Sequence, residues 1–226
     1  PKLAIGMESL KTNQTASANL KKQEGTYFDT TLFYQLDYDK RNQKFQTSDG
    51  FRSQFTQSIP IVSEDYALLN GYEFSKYEQF NDVIGSVSIY TRAMNSIAGK
   101  DVRISNRLFL PSKKLRGFEP GKIGPVDSGD FIGGNYATAL NLVTTLPKLF
   151  ATVQNAEFQF FFDAANVWGV DYSEAIDDSN KIRTSTGVAV NWYTPVGPLN
   201  FSLAQPITKA SGDKTESFRF NLGTTF

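Results

Sequence analysis

The side chains able to do acid–base or ionic chemistry in this sequence are 23 Lys and Arg and 23 Asp and Glu, with no His and no Cys among 226 residues. That inventory removes every mechanism that needs an imidazole or a thiolate: Ser-His-Asp triads, cysteine nucleophiles, Cys/His zinc sites and histidine-ligated haem. A Ser-Lys or carboxylate mechanism stays compatible with the composition. The charges cancel to +0, so no global field draws nucleic acid, and a nucleic-acid partner is not expected. What the polar residues share is spacing. Arg52, Glu73, Arg92, Asp163, Arg183, Asn191 and Arg219 each fall on the polar side of a segment whose alternate positions are apolar. A small dry core holds such groups only if each charge has a partner, whereas a wet hollow accommodates them directly.

The elements that must position these groups are read from period two. Between Tyr27 and Tyr38 the even positions are Phe28, Thr30, Leu32, Tyr34, Leu36 and Tyr38, against Asp29, Thr31, Gln35 and Asp37 among the odd ones. The pattern repeats over residues 51–61, 66–76, 83–92, 136–146, 157–166, 182–192, 199–207 and 217–226, and a first segment lies around Leu3 to Leu10. This predicts about ten strands in an antiparallel all-β meander, with no helical periodicity. No run of eighteen or more apolar residues occurs, which excludes transmembrane helices and leaves a membrane-spanning β-barrel open. Mean hydropathy, −0.33, is that of an ordinary soluble protein. Two all-β solutions therefore compete, a soluble sandwich or lipocalin-like barrel with its apolar face inward and a membrane barrel with that face on lipid. Long strands, aromatic residues near strand ends (Tyr38, Tyr66, Trp168, Trp192, Tyr193) and the strongly polar second face favour the membrane barrel. The chain begins at Pro1 without Met or an apolar leader, so a signal peptide is expected to have been removed or to lie upstream.

One connection breaks the hairpin rhythm. From about residue 93 to 135 the alternation fades for more than forty residues, yet Leu108, Leu110, Leu115, Phe118, Ile123 and Phe131 are too apolar for a disordered linker. The segment is expected to fold on itself or to pack inside the barrel, with Gly117, Gly124, Gly133 and Gly134 supplying positive φ or close backbone approach. Pro195 and Pro198 remove ladder donors between two strands and mark a short turn.

Several blocks in this order resemble the barrel of the BamA-type outer-membrane insertases. They are Leu115-Arg116-Gly117-Phe118, then Ile123-Gly124-Pro125-Val126-Asp127 and Gly133-Gly134-Asn135, then the strand Phe161 to Trp168, the hairpin Gly187 to Leu199 and the last strand Phe218 to Phe226. Residues 39–52 are similar to an earlier hairpin of the same barrels. The resemblance implies a protein that folds and inserts other β-barrels into the bacterial outer membrane. Its implied partners are nascent β-barrel proteins, outer-membrane lipids and the accessory lipoproteins of an assembly complex. It implies no enzymatic activity and no cofactor or metal. Family members carry a sixteen-stranded barrel after periplasmic POTRA domains. At about 23 residues per strand, sixteen strands would need roughly 360 residues, so residues 1–226 are expected to be the C-terminal part of such a barrel or a reduced one. A protein-translocation pore of the same superfamily, of the two-partner-secretion type, is the alternative reading.

The family pattern places Arg116 inside the lumen, paired with Asp163. Alternation fits that geometry, since Phe158, Phe160 and Phe162 would face lipid and turn Asp163 inward. A guanidinium on a carboxylate in a partly desolvated lumen forms a bidentate, charge-assisted contact. A second acidic residue often shares this arginine in related proteins, and the position here that matches is the uncharged Val143. A weaker hold is expected unless Glu119, Asp127 or Asp130 substitutes. In the last strand Phe218, Phe220, Leu222 and Phe226 face one way, resembling the C-terminal signal by which such barrels are recognised. Gly223 would weaken local pairing, and an unpaired edge there would template strand addition.

Overall fold

Alternating aromatic, β-branched and polar residues produce long strands, nine of them 9–15 residues in length. The structure is a computed structural model that describes residues 1–146, 155–171, 176, 181–194 and 197–222. In chain order the strands are β1 (Lys2–Leu10), β2 (Gly25–Asp39), β3 (Gly50–Val62), β4 (Ala67–Phe80), β5 (Val83–Ser96), β6 (Val126–Asp127), β7 (Asp130–Phe131), β8 (Tyr136–Leu146), β9 (Ala156–Trp168), β10 (Arg183–Thr194), β11 (Gly197–Thr208) and β12 (Phe218–Leu222). Ten of them form one antiparallel sheet in the order β1-β2-β3-β4-β5-β8-β9-β10-β11-β12, and β6 and β7 pair separately within the long connection. Among the described residues β1 and β12 share no ladder, so the sheet does not close on itself. Gly223 and Phe226 lie outside the described residues.

Pro198, expected between two strands, is the second residue of β11 and pairs with Tyr193, while Pro195 lies outside the described residues. Pro60 and Pro206 sit deeper inside strands without breaking them, because each falls at a bulge where a missing N–H does no harm. Pro60 pairs with Thr31 just before the register slips past Ile61. Pro206 pairs with Ser185 just before it slips past Ile207.

The sheet is apolar outside and polar within. On the outer face Met7 is 79% exposed, Leu222 67% and Phe160 50%, whereas Asp163 and Ser185 on the inner face are 0% exposed. Arg183, Arg219, Asn141, Glu157 and Ser202 are buried on the same inner side. A water-soluble sandwich would reverse this distribution. Lipid contact accounts for the outward apolar side chains, since acyl chains charge nothing for them. Aromatic pairs bracket the outer band, Tyr136 stacking on Trp168 at 5.5 Å near one rim and Tyr38 meeting Phe51 at 5.7 Å near the other.

Three details depart from the sequence expectation. A short helix, α1 (Ala18–Lys21), is capped by Ser17, whose Oγ accepts from the Leu20 N–H at 3.1 Å. Two single 3₁₀ turns, Ile104–Asn106 and Ser112–Lys114, fall in the long connection. Pieces this short leave no readable period. Tyr66 is not the first residue of a strand but a turn residue at φ 45°, and β4 begins after it.

Candidate functional site: the lumen loop and its anchors

The connection from β5 to β8 folds back along the inner face instead of standing off the rim. Its apolar side chains supply the reason. Leu110, Leu115, Phe118 and Ile123 are buried with Tyr90, Ala137, Ala139, Ala165 and Val167, small or flat residues on the inner wall. Small wall residues leave room for the loop, and the loop fills what would otherwise be a void.

Arg116 and Asp163 meet at the centre of this contact. The guanidinium donates twice, Nε to Oδ2 and Nη2 to Oδ1, both at 2.7 Å, and the Arg116 backbone N–H adds a third bond to Oδ2 at 3.1 Å. The guanidinium also lies 3.5 Å from the centroid of the Phe161 ring. Val143 contributes nothing to this network, and neither do the three loop carboxylates considered as substitutes. The second strand partner is Asn141, directly opposite Asp163 in the β8–β9 register. Its amide donates to Asp163 Oδ1 at 2.8 Å and to the Lys114 carbonyl at 2.9 Å. Ser185, opposite Asp163 on β10, donates to the Arg116 carbonyl at 2.5 Å. The fully buried carboxylate thus accepts four hydrogen bonds, enough to offset its desolvation.

Gly117 follows at φ 88°, and a Cβ there would stand 3.2 Å from Ala204 Cβ and 3.3 Å from Ser185 Cβ. Both the backbone sign and the space require glycine. Gly134 has an ordinary φ, but a Cβ there would meet the Trp168 carbonyl oxygen at 2.4 Å. Gly124 and Gly133 take positive φ in the turns between them. Pro125 is fully buried, and Asp127 accepts from Ser17 Oγ at 2.6 Å and from Asn19 at 3.2 Å. Asp127 therefore ties the β6–β7 turn to the β1–β2 connection, while Asp130 is exposed and Glu119 engages through its backbone N–H, bonded to the Lys214 carbonyl at 3.0 Å.

Sequence reasoning missed a second set of anchors at the rim. Arg103 donates to Asp29 of β2 at 2.5 Å, lies 3.7 Å from Glu8 of β1, and has its guanidinium 4.2 Å from the Tyr27 ring centroid. Arg107 donates to Asp171, and to Asn135 at 3.0 Å. Asp65 accepts from Asn106 at 2.8 Å and from the Arg103 N–H at 3.2 Å. Burial pushes the Asp65 carboxyl up, but the bonds from Asn106, Ser63 and Arg103 outweigh it and hold the group below the usual carboxylate range. Asp171 behaves alike, since burial raises it and the Val102 N–H, Asn135 and Arg107 bring it net downward. The available signal was the pair Arg103 and Arg107 in an apolar loop, where no alternation tells which way each points.

Below the anchors lies a hollow of about 610 Å³ whose lining includes Glu73, Tyr77, Lys114, Arg116, Glu157 and Asn191. Both charge signs line it, Lys114 and Arg116 against Glu73 and Glu157. No cluster of metal-ligating residues occurs among the described residues.

The model of the Omp85 superfamily domain matches residues 4–226. The chain is 26% identical to the outer membrane protein assembly factor BamA of Neorickettsia risticii, covering 93% of this chain and 29% of that protein. It is 31% identical to BamA of Neisseria meningitidis serogroup B over 50% of this chain and 17% of that one. The human sorting and assembly machinery component 50 homolog is 27% identical over 95% of this chain and 49% of its own length. Among solved structures, BamA from Haemophilus ducreyi lacking POTRA domains 1–3 superposes with a TM-score of 0.78 at 29% identity, covering 86% of this chain and 42% of that one. The chain thus spans less than half the length of each of these relatives.

Proposed function

The chain belongs to the Omp85 superfamily, and from that premise we propose that it forms the C-terminal part of a BamA-like insertase barrel in the bacterial outer membrane. In this reading the whole protein accepts nascent β-barrel proteins and inserts them into the surrounding lipid, with accessory lipoproteins as helpers. The work is done by hydrogen-bond templating and by local perturbation of lipid, without bond-making chemistry. The observation that carries the reading is the inside-out sheet with its loop clamped at Arg116 and Asp163. A lumen occupied by a fixed loop suits a protein whose clients enter laterally from its edge.

The edge is supplied by β12, which pairs through residues 218–222 with β11 and, among the described residues, with no strand on its other side. In this reading β12 closes against a strand of the whole barrel outside residues 1–226, and opening that seam would expose N–H and C=O groups that an arriving strand gains by pairing. Phe218, Phe220 and Leu222 lie exposed on the outer face of that strand, where a recognition signal would be read.

The test replaces the native protein with an Arg116→Ala version in cells that depend on it. The expected result is loss of heat-modifiable, folded client barrels in the outer membrane, together with a loop that proteases reach. Full assembly with the variant would refute the reading. Conductance that rises on loop deletion with clients still assembled would favour a translocation pore.

A further inference from the structure

Arg219 occupies the inner face of β12 and is 8% exposed, but its partners are not on the sheet. Its Nη1 donates to the Ser112 carbonyl at 2.5 Å, its Nη2 to the Phe118 carbonyl, and its Nε to Glu216. Ser112 and Phe118 flank Arg116 in the lumen loop. Backbone pairing continues the contact. The Glu216 N–H bonds the Gly117 carbonyl at 3.1 Å, the Glu119 N–H bonds the Lys214 carbonyl at 3.0 Å, and the Lys214 N–H bonds the Lys122 carbonyl at 3.1 Å, with Phe118 opposite Thr215. The loop is therefore bridged through its backbone to the segment that leads into β12.

Guanidinium chemistry explains the residue type. Two carbonyls and a carboxylate are met by one side chain, and a planar fork of five donors in fixed directions suits three separated acceptors better than a compact ammonium. Along residues 218–222 the backbone of β12 is paired to β11, and Arg219 adds to that ladder a side-chain tie to the lumen loop.

We propose that Arg219 is a positioning residue that staples the start of the last strand to the lumen loop and thereby fixes the edge on which client strands are templated. This rests on the insertase reading above for its functional half, and on geometry alone for its structural half. The loop and the last strand then behave as one rigid unit, and the loop stays in place while clients are handled.

The experiment uses the whole protein in a cysteine-free background, with Arg219→Gln, Arg219→Lys and a disulfide pair Lys122→Cys/Lys214→Cys joining two exposed positions already bridged by a backbone bond. In detergent-solubilised protein, hydrogen exchange at residues 218–222 is expected to speed about tenfold in both Arg219 variants and to return to the native rate when the disulfide closes. In cells, client assembly is expected to fall several-fold in both variants, to recover with the oxidised link, and to be undisturbed by the link in the Arg219 background. Unchanged exchange would overturn the staple outright. Faster exchange with normal assembly would overturn its functional half while leaving the insertase reading standing. A closed link that stops assembly would also overturn it, since the loop would then have to leave.

Discussion

The lumen loop is held at two places by arginine and carboxylate, and the two are built on opposite plans. In the deep anchor, one carboxylate with no solvent exposure collects four hydrogen bonds, three from Arg116 and one from Asn141. At the rim, one guanidinium is divided among several carboxylates, Arg103 facing Asp29, Asp65 and Glu8. Asp29 and Glu8 keep contact with solvent while Asp65 is buried, and Arg103 Nε and Nη1 make no hydrogen bond among the described residues. Convergence on one buried group makes a joint that fails all at once. Sharing among several carboxylates, two of which reach water, makes a joint that weakens by degrees.

The largest effect is therefore expected deep in the lumen. Asp163→Ala strands the Arg116 guanidinium, whose side chain is 12% exposed, and should cost about 3–5 kcal/mol. The loss is measurable as a lower denaturant or temperature midpoint for the folded, heat-modifiable form. A cost under about 1 kcal/mol would mean that the deep anchor is no stronger than a surface pair and would erase the distinction.

How much of this was legible in the sequence follows the same division. Strands were readable because Phe158, Phe160 and Phe162 announce a lipid face and force Asp163 to the other side, a consequence of pleat alone. The Arg116 partnership came from the motif around it and from that parity. Asn141 was not readable, because the motif pointed to Val143 and only the β8–β9 register shows which residue lies opposite Asp163. The rim was not readable either. Arg103, Arg107 and Asp171 sit in irregular backbone where no period assigns a direction, and their contacts join residues 64–74 positions apart. Arg219 was visible as a polar-face residue, but its carbonyl partners were hidden for the same reason.

Asn141 offers the next sharpest comparison. Replacing it by leucine keeps the volume and removes one bond to Asp163 and one to the Lys114 carbonyl, so a cost of about 2 kcal/mol is expected. The fold should survive with the loop more open to protease. At the rim, Arg103→Ala should cost less, about 1–2 kcal/mol, because Asp29 and Glu8 can turn to water. A rim variant more damaging than Asn141→Leu would reverse the proposed order of the two anchors.

The smallest effect separates the anchors without mutation. Asp65 and Asp171 lie in connections outside the strands, and both are held below the ordinary carboxylate pKa of about 3.9. A depressed folded value contributes stability that is complete above the unfolded pKa and is lost as pH falls through the folded one. Asp101 works the other way, since burial and the Asp171 charge push it up, so one group opposes two. Arginine stays charged throughout. Acidification below about pH 4 should therefore loosen residues 97–107 and the connections that carry Asp65 and Asp171. Hydrogen exchange is expected to quicken there more than in β8 and β9, whose amides are held by ladders on both sides. Uniform acceleration across both regions would show that the rim and the deep anchor open as one cooperative unit, and the loop would then have a single hold rather than two.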